Sequence, residues 1–363
     1  MKKYCVFLIL LCHSVFSQTH FNHYSIEANF LKGNILPHTD KLNHLITGHP
    51  EGILLSFSKK TTGEKAWHKN FNYPEYGVYF LHQDFKNTIL GKNYAVGIHY
   101  NFFMLKRAVQ FKIATGIAKT THPFNKETNS KNNAFGTKFM SNINLGLSYK
   151  KANIFKNFGI ETGFLLTHYS NGRIKSPNSG INTINLNLGA NYTLEKAPIK
   201  FIDSTFSDVN LDKSLKYNFV FRGGINESSI INSGQFPFYH VGFYVDKRIT
   251  TKSGLQLGTE IFISQFNKEF IKYHAIAYPE KKLDPNTDYK RAGIFIGHEL
   301  FINKISFETQ IGYYIYQPYK FDFPVYNRTG IKYYINKNLF TVVSLKTHLF
   351  LAEALEFGIG IKL

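Results

Sequence analysis

Apolar and polar residues alternate with a period of two along much of the chain. In residues 305–316, Ile, Phe, Thr and Tyr at odd positions alternate with Ser, Glu, Gln, Gly and Tyr at even positions, and residues 255–264 and 355–363 repeat the pattern. Strict alternation predicts β-strands with one apolar face and one face that carries Glu, Gln, Lys and Gly. A soluble barrel would bury the apolar face, whereas a membrane barrel turns it toward lipid.

The lengths of the strands and their connections favour the membrane barrel. Many candidate strands run close to the roughly 9–11 residues that cross a bilayer. Short connections lie near 105–107, 151–157, 249–254, 303–304 and 336–338, and they alternate with long ones near 121–137, 171–181, 227–238, 267–289 and 318–327. Short periplasmic turns opposite long external loops are typical of outer-membrane barrels. This parity places the 171–181 loop outside the cell and Leu363 in the periplasm.

The pattern predicts an all-β, antiparallel transmembrane β-barrel of about 14 strands, and counts of 12–16 fit it as well. The range stays open because the strands at 23–31 and 52–60 are weak. Residues 18–90 are less regular around Trp67, which suggests a plug, a cap or a periplasmic segment. The polar segment 195–214 falls on the short-turn side and is interpreted as an insertion.

The first residues predict a signal peptide. Basic Met1-Lys2-Lys3 precedes an apolar stretch over 4–12, and Val15-Phe16-Ser17 stands before Gln18. This pattern predicts cleavage after Ser17, a signal peptide at 1–17 and one barrel domain at 18–363. Both cysteines of the chain lie in the signal, so the mature protein has no thiol or disulfide.

Charge and composition narrow the partners. The formal net charge is +19, which suggests anionic partners for an exported protein. Nucleic acid is not expected after export, whereas the phosphorylated glycolipid of a Gram-negative surface suits the charge. No apolar run of about 18 residues follows the signal, so no transmembrane helix is predicted. The scattered histidines lack metal-ligand spacing, and we expect no metal and no cofactor.

The candidate chemistry lies around the loop at 171–181. His168 and Ser170 share the face of the apolar residues Phe164 and Leu166, and Asn182 opens the next strand on a face that continues with Ile184, Leu186 and Leu188. Polar side chains that interrupt two lipid-facing stripes at one level are costly unless they satisfy one another or serve a function. They therefore form a candidate site at the outer rim.

The residue types match a serine esterase. Ser170 would attack an ester carbonyl after His168 removes its proton, and Asn182 could accept the other ring N–H of His168. Backbone amides of Ser170–Arg173, including Gly172, or the Asn171 amide could hold the oxyanion. Arg173 and Lys175 could contact phosphates of a head group. The alternative interpretation is a non-enzymatic, porin-like barrel in which residues 168–182 form only a turn.

At these residues the chain resembles the outer-membrane lipid A 3-O-deacylases of the PagL type, or acyloxyacyl hydrolases. The matching segments are His168-Tyr169-Ser170-Asn171-Gly172, Ile174-Lys175, Pro177-Asn178 and Gly180-Ile181, with weaker matches at 73–77 and 133–136. The resemblance implies that His168 is the base, that Ser170 is the nucleophile and that Asn171 contributes to the oxyanion site. It also implies a site that faces lipid on the barrel exterior.

Two departures leave the substrate open. The family has an orienting Glu where this chain has Asn182, and this chain is longer than a small eight-stranded deacylase. Asn at this spacing is similar to the outer-membrane phospholipase A, in which calcium assists. We therefore predict hydrolysis of an ester-linked acyl chain of lipid A in the outer membrane of a Gram-negative bacterium, with the site toward the outer leaflet. Phospholipase A activity is the alternative, and calcium is expected only under it. The sequence does not determine the oligomeric state.

Overall fold

The computed structural model describes residues 23–194, 201–202, 211–349 and 351–363. They form two closed antiparallel barrels of eight strands each. The first barrel contains β1 (Tyr24–Leu36), β2 (Glu51–Lys60), β3 (Glu75–Asp84), β4 (Lys92–Met104), β5 (Val109–Thr120), β6 (Phe139–Phe155), β7 (Phe158–Ser170) and β8 (Ile181–Thr193). The second contains β9 (Leu215–Glu227), β10 (Gln235–Arg248), β11 (Ser253–Ser264), β12 (Arg291–Ile302), β13 (Ile305–Tyr316), β14 (Val325–Tyr334), β15 (Leu339–His348) and β16 (Leu351–Lys362).

Helices are confined to the connections. They are α1 (Ala66–Asn70), α2 (Gln265–Ala277) and two short 3₁₀ segments at Asp40–Leu45 and Pro279–Lys281. Within the described ranges, no helix has the length and apolar character needed to span a membrane.

Each barrel closes by pairing its first and last strands. β1 pairs with β8 from Ser25–Thr193 to Leu36–Asn182, and β9 pairs with both β10 and β16. The period-two pattern then separates two faces, as predicted. Outward side chains such as Phe164, Leu188 and Leu257 are 57%, 65% and 64% exposed to the surroundings, an apolar band suited to lipid.

The inward side chains fill the barrels. In the second barrel Arg328 reaches Glu260 at 2.6 Å and Glu356 at 2.7 Å, and all three side chains are buried. In the first barrel Lys112 lies 2.8 Å from the buried Glu27. An eight-stranded barrel has an interior just wide enough for side chains. This packing argues against a wide aqueous channel through either barrel.

Most long and short connections fall at opposite ends, as the sequence predicts, but the long connection 61–74, which contains α1, lies at the end of the tight turns. In the first barrel the connections 37–50, 85–91, 121–138 and 171–180 share one end with His168 and Ser170, whereas 105–108 and 156–157 are tight turns at the other end. In the second barrel 228–234, 265–290 and 317–324 are the longer connections, and 249–252 and 303–304 are tight turns.

The all-β, antiparallel fold class is confirmed, whereas the single barrel and the place of segment 195–214 differ from the structure. The described residues form 16 antiparallel strands, within the predicted range of 12–16, and these strands close two barrels rather than one. Alternation identifies strands but carries no information on which strand closes a barrel, because every hairpin repeats the same pattern. The segment 195–214 is the connection between the barrels rather than an insertion in one, and most of it lies outside the described residues. The predicted signal peptide also lies outside them.

The weak N-terminal strands are real. They are β1 and β2, and the irregular region around Trp67 is α1 with its flanking loops, between β2 and β3. The strands β1, β2 and β3 are therefore part of the first barrel wall, and the region around Trp67 is a connection between two of them.

Candidate active site

The site begins where β7 ends and β8 starts. The two strands are antiparallel, and His168 stands directly opposite Asn182. The intervening residues of β7 point inward, and Thr167 and Tyr169 are buried in the barrel. The ring centroids of Tyr169 and Phe85 lie 5.9 Å apart, so these two aromatic side chains pack together inside the barrel. Alternation thus leaves His168 and Asn182 together on the outer face.

His168 and Asn182 are hydrogen-bonded. Nδ1 of His168 lies 2.6 Å from Oδ1 of Asn182. The side-chain amide Nδ2 of Asn182 lies 3.1 Å from Nδ1 of His38. Nε2 of His38 in turn lies 2.9 Å from the carbonyl oxygen of Ser179. A continuous chain of hydrogen bonds therefore links the Ser179 carbonyl to the His168 ring.

When both imidazole rings are neutral, only one assignment of donors and acceptors fits these hydrogen bonds. A carbonyl oxygen can only accept, so His38 must carry its proton on Nε2 and accept at Nδ1. Asn182 then donates Nδ2–H to His38 and presents Oδ1 to His168. His168 must donate from Nδ1, which leaves Nε2 with a free lone pair. That tautomer is the one a general base needs, and the hydrogen-bond partners of the two rings determine it.

Ser170 ends β7 and is buried. Its carbonyl oxygen accepts a hydrogen bond of 2.8 Å from Oγ of Ser141, and its own Oγ accepts one of 3.1 Å from the backbone N–H of Gly172. Among the described residues, Ser170 and His168 are not hydrogen-bonded to each other. Catalytic hydrogen bonds in ligand-free sites are often long and tighten with substrate.

Gly180 lies close to both Ser170 and His168. A Cβ at this position would lie 3.2 Å from Cβ of Ser170 and 3.4 Å from Cε1 of His168, and its φ is +68°. The left-handed backbone and the close contacts both favour glycine. A side chain at this position would press on both Ser170 and His168.

The three residues predicted for the oxyanion site form a tight turn. Gly172 and Arg173 have φ values of +62° and +68°, and the N–H of Ile174 donates to the carbonyl of Asn171. The backbone N–H of Asn171 donates to Oδ1 of Asn178 at 2.9 Å, and Nδ2 of Asn171 donates to the carbonyl of Lys175 at 2.8 Å. Gly172 N–H is therefore the donor closest to the hydroxyl of Ser170 in these contacts. The amide of Asn171 keeps its second hydrogen.

Arg173 and Lys175, the two predicted phosphate contacts, have different surroundings. The guanidinium of Arg173 lies over the ring of Phe266 at 5.3 Å, in the second barrel's connection. Burial lowers the pKa of Arg173, and the carboxylates of Asp322 and Glu353 act in the opposite direction. Lys175, by contrast, is exposed. The structure therefore leaves Lys175 free for a ligand and turns Arg173 toward the second barrel.

Sequence reasoning missed His38. It lies beyond the end of β1, far along the chain from Asn182, and reaches it because β1 closes the barrel against β8 at Leu36–Asn182. The sequence could have indicated this contact only if the first barrel had been predicted to have eight strands, because β1 then pairs with β8. Across the described part of the chain, His, Cys, Asp and Glu side chains form no group of three or more that could hold a metal ion.

Solved structures resemble the chain only distantly. The outer-membrane enzyme PagL is 16% identical, covers 45% of this chain and 97% of its own, and has a TM-score of 0.30. A Rhodopseudomonas blastica porin is 6% identical over 94% of this chain and 100% of its own, with a TM-score of 0.21. The KdgM porin is 9% identical over 93% and 97%, with a TM-score of 0.19. Scores this low add nothing on fold or function. No curated protein matches the chain in sequence.

Family comparisons divide the chain at the boundary between the barrels. Residues 51–191 match the family described as "Lipid A 3-O-deacylase (PagL)", and residues 215–363 match "Acyloxyacyl hydrolase, C-terminal domain". The first match contains His168, Ser170 and Asn182, and the second covers the whole second barrel. Each barrel therefore matches a model of the PagL-type lipid A 3-O-deacylase and acyloxyacyl hydrolase family, and the chain is a carboxylic ester hydrolase of the outer membrane.

Proposed function

We propose that this protein removes an ester-linked acyl chain from lipid A with Ser170 as nucleophile and His168 as general base. The observation that carries the proposal is the chain of hydrogen bonds from Ser179 through His38 and Asn182. It leaves Nε2 of His168 as an acceptor on the strand that ends at Ser170. The family match supports lipid A as the substrate class.

The reaction proceeds in two steps. Oγ of Ser170 attacks the ester carbonyl while its proton passes to Nε2 of His168. The tetrahedral oxyanion forms next to Oγ, within reach of Gly172 N–H and of the second amide hydrogen of Asn171. His168 then protonates the departing sugar oxygen and leaves an acyl-enzyme. Water, deprotonated by His168, attacks this ester and releases the fatty acid.

The surroundings of the site suit a substrate that stays in the bilayer. Phe164 and Leu166 precede His168 on the same face of β7 and are 57% and 43% exposed. On β8, Leu186 and Leu188 continue the face that Asn182 begins. An acyl chain lying along these residues would bring its ester to Ser170 at the outer end. The phosphates of lipid A would then lie near Lys175, which takes over the contact that the sequence also assigned to Arg173.

Phospholipid is the second candidate substrate. It is kept because Asn182, rather than the family's acid, accepts from His168 at 2.6 Å. Either substrate presents an acyl ester to Ser170, so this geometry does not separate them. A porin function is disfavoured, because both barrels have eight strands and their inward side chains are packed.

The test is hydrolysis by purified, folded protein in detergent. Lipopolysaccharide and phospholipid are supplied separately, and mass spectrometry measures fatty acid loss from each. We expect loss from lipopolysaccharide, abolished in Ser170→Ala and His168→Ala. Ser253→Ala is a matched control, because Oγ of Ser253 is hydrogen-bonded to His298 at 2.5 Å on the second barrel, away from the site. Folded protein that leaves both substrates intact would refute the proposal, and loss from phospholipid alone would select the second candidate.

A further inference from the structure

The loop that carries the proposed oxyanion donors also contacts the second barrel. This catalytic loop, residues 171–180, connects β7 and β8 of the first barrel. The partner is the second-barrel hairpin, residues 227–235, which ends β9 and starts β10. The two segments are far apart in the chain, and the hydrogen bonds between them are specific.

The central contact is the carboxylate of Glu227. Its Oε2 accepts a hydrogen bond of 2.6 Å from the backbone N–H of Ser176, and its Oε1 accepts one of 3.3 Å from the N–H of Gly234. Glu227 and Ser176 are 2% and 4% exposed. One buried carboxylate therefore holds the catalytic loop and the second-barrel hairpin together through two backbone donors.

Three further hydrogen bonds run between the same segments. Oγ of Ser176 donates to the carbonyl of Ser228 at 2.6 Å. The N–H of Glu227 donates to the carbonyl of Arg173 at 3.1 Å, and Nε2 of Gln235 donates to the carbonyl of Ile174 at 2.8 Å. The backbone of the catalytic loop is thus held at residues 173, 174 and 176, directly after the proposed oxyanion donors.

Packing reinforces these bonds at Gly172. A Cβ on Gly172 would lie 2.7 Å from Cβ of Leu355 in β16 and 3.5 Å from Cδ1 of Leu345 in β15. The backbone of Gly172 therefore lies against the wall of the second barrel, and its N–H points to Oγ of Ser170 at 3.1 Å. The next residue, Arg173, extends over Phe266 of α2. Loop residues 172, 173, 174 and 176 all contact the second barrel, and Lys175 stays exposed.

We propose that the second barrel positions the catalytic loop, and that Glu227 is its main positioning residue. This inference rests on the proposed function of Ser170. The second barrel sets the distance between Gly172 N–H and Ser170, and so controls how well the oxyanion is held. It needs no catalytic group of its own for that role. A displacement of about 1 Å at such a site can cost about 100-fold in rate.

The experiment measures the reactivity of Ser170 in the full-length, folded protein. A p-nitrophenyl alkylphosphonate forms a bond from phosphorus to Oγ of Ser170, the Ser170 proton passes to His168, and p-nitrophenolate leaves. Release of the chromophore gives the rate, and mass spectrometry gives the modified residue. Deacylation of lipopolysaccharide is measured in parallel to separate kcat from KM.

Three variants test the role of Glu227. Glu227→Ala removes both acceptors, and we expect the labelling rate and kcat to fall about 10-fold or more, with KM changed much less. Glu227→Gln keeps one acceptor for two donors and should be intermediate. Glu299→Gln is the matched control, because Glu299 is equally buried in the second barrel but lies near the tight turn at 303–304. It should reduce stability without slowing the labelling of folded protein.

The outcomes are distinct. Slow labelling in the Glu227 variants with a normal rate in Glu299→Gln supports the inference. A native rate in folded Glu227→Ala overturns it and leaves the proposed function intact. Equal slowing in all three variants also overturns it, because the effect would then be general destabilisation. Absence of labelling at Ser170 in the native protein refutes the proposed nucleophile itself.

Discussion

The polarity of the hydrogen bonds at His38 provides the sharpest test of the site. His38 accepts from Nδ2 of Asn182 at 3.1 Å and donates to the Ser179 carbonyl at 2.9 Å. An amide has one acceptor and one donor end, and the two ends are nearly equal in shape. Without His38, nothing in this chain of contacts prevents Asn182 from turning its Nδ2 toward His168. His168 would then carry its proton on Nε2, where it cannot accept the proton of Ser170.

The expected loss of kcat in His38→Ala follows from the energy of one hydrogen bond. The bond between Asn182 and His38 stabilises the productive orientation by about 1 kcal/mol, with a range of about 0.5–1.5 kcal/mol. Without that bond the two amide orientations become about equally populated, so removal of the bond should lower kcat roughly twofold. His38→Ala should therefore be a moderate defect, far smaller than the loss in Ser170→Ala.

Two further substitutions at the same position test polarity directly. His38→Gln offers a carbonyl oxygen that can accept from Asn182, so we expect most of the kcat to return. His38→Lys offers only donors, which favour the reversed amide, so it should be the most damaging of the three. The assay is the deacylation of lipopolysaccharide, with kcat compared among folded variants.

A nearby histidine supplies the control. His44 lies on the same connection, and its Nε2 donates to the carbonyl of Lys131 at 2.8 Å, away from Asn182. His44→Ala should retain native kcat. The reasoning is refuted if alanine, glutamine and lysine at position 38 reduce kcat equally, since only packing would then be involved.

Four other outcomes follow from the same structure. Asn182→Ala should lower kcat much less than Ser170→Ala, and equal losses in the two variants would contradict an orienting role. Addition of a chelator should leave the deacylation rate unchanged, whereas loss of activity that calcium restores would favour the phospholipase alternative. Lys175→Ala should raise KM for lipopolysaccharide about fivefold, corresponding to about 1 kcal/mol for a phosphate contact; the same rise with an uncharged ester would argue against that contact. Arg328→Met leaves the buried Glu260 and Glu356 with Arg222 as their remaining guanidinium partner, so the free energy of unfolding in urea should fall by about 3 kcal/mol, the lower end of the range for a broken buried pair; an unchanged midpoint would contradict the buried network.

Much of the site could be predicted because its parts are local. His168 and Ser170 are two residues apart on one strand, and Asn182 opens the next strand of the same hairpin, so alternation alone assigns their faces. The strand positions and the long and short connections were predicted for the same reason. None of these inferences depends on which strands pair to close the barrel.

The contacts that sequence analysis missed all depend on closure. His38 reaches Asn182 only because β1 pairs with β8, and Glu227 reaches Ser176 only because a second barrel lies beside the first. Each strand edge offers the same backbone donors and acceptors, so the pattern alone does not distinguish one barrel from two. The first barrel ends with β8 and the second begins with β9. In the sequence, only the polar segment 195–214 indicates this boundary.

Closure also explains how the chain can use Asn182 where its family has an acid. A carboxylate presents an acceptor through either oxygen, so its orientation matters little to the histidine beside it. Asn182 has a single acceptor oxygen and therefore requires a neighbour that fixes which end faces His168. His38 is that neighbour, and the hydrogen bond to Ser179 fixes the tautomer of His38 in turn. An uncharged orienting group also avoids the cost of placing a carboxylate on a face otherwise suited to lipid. On this reasoning, His38 compensates for the missing acid, and an Asn182→Glu variant should no longer depend on His38.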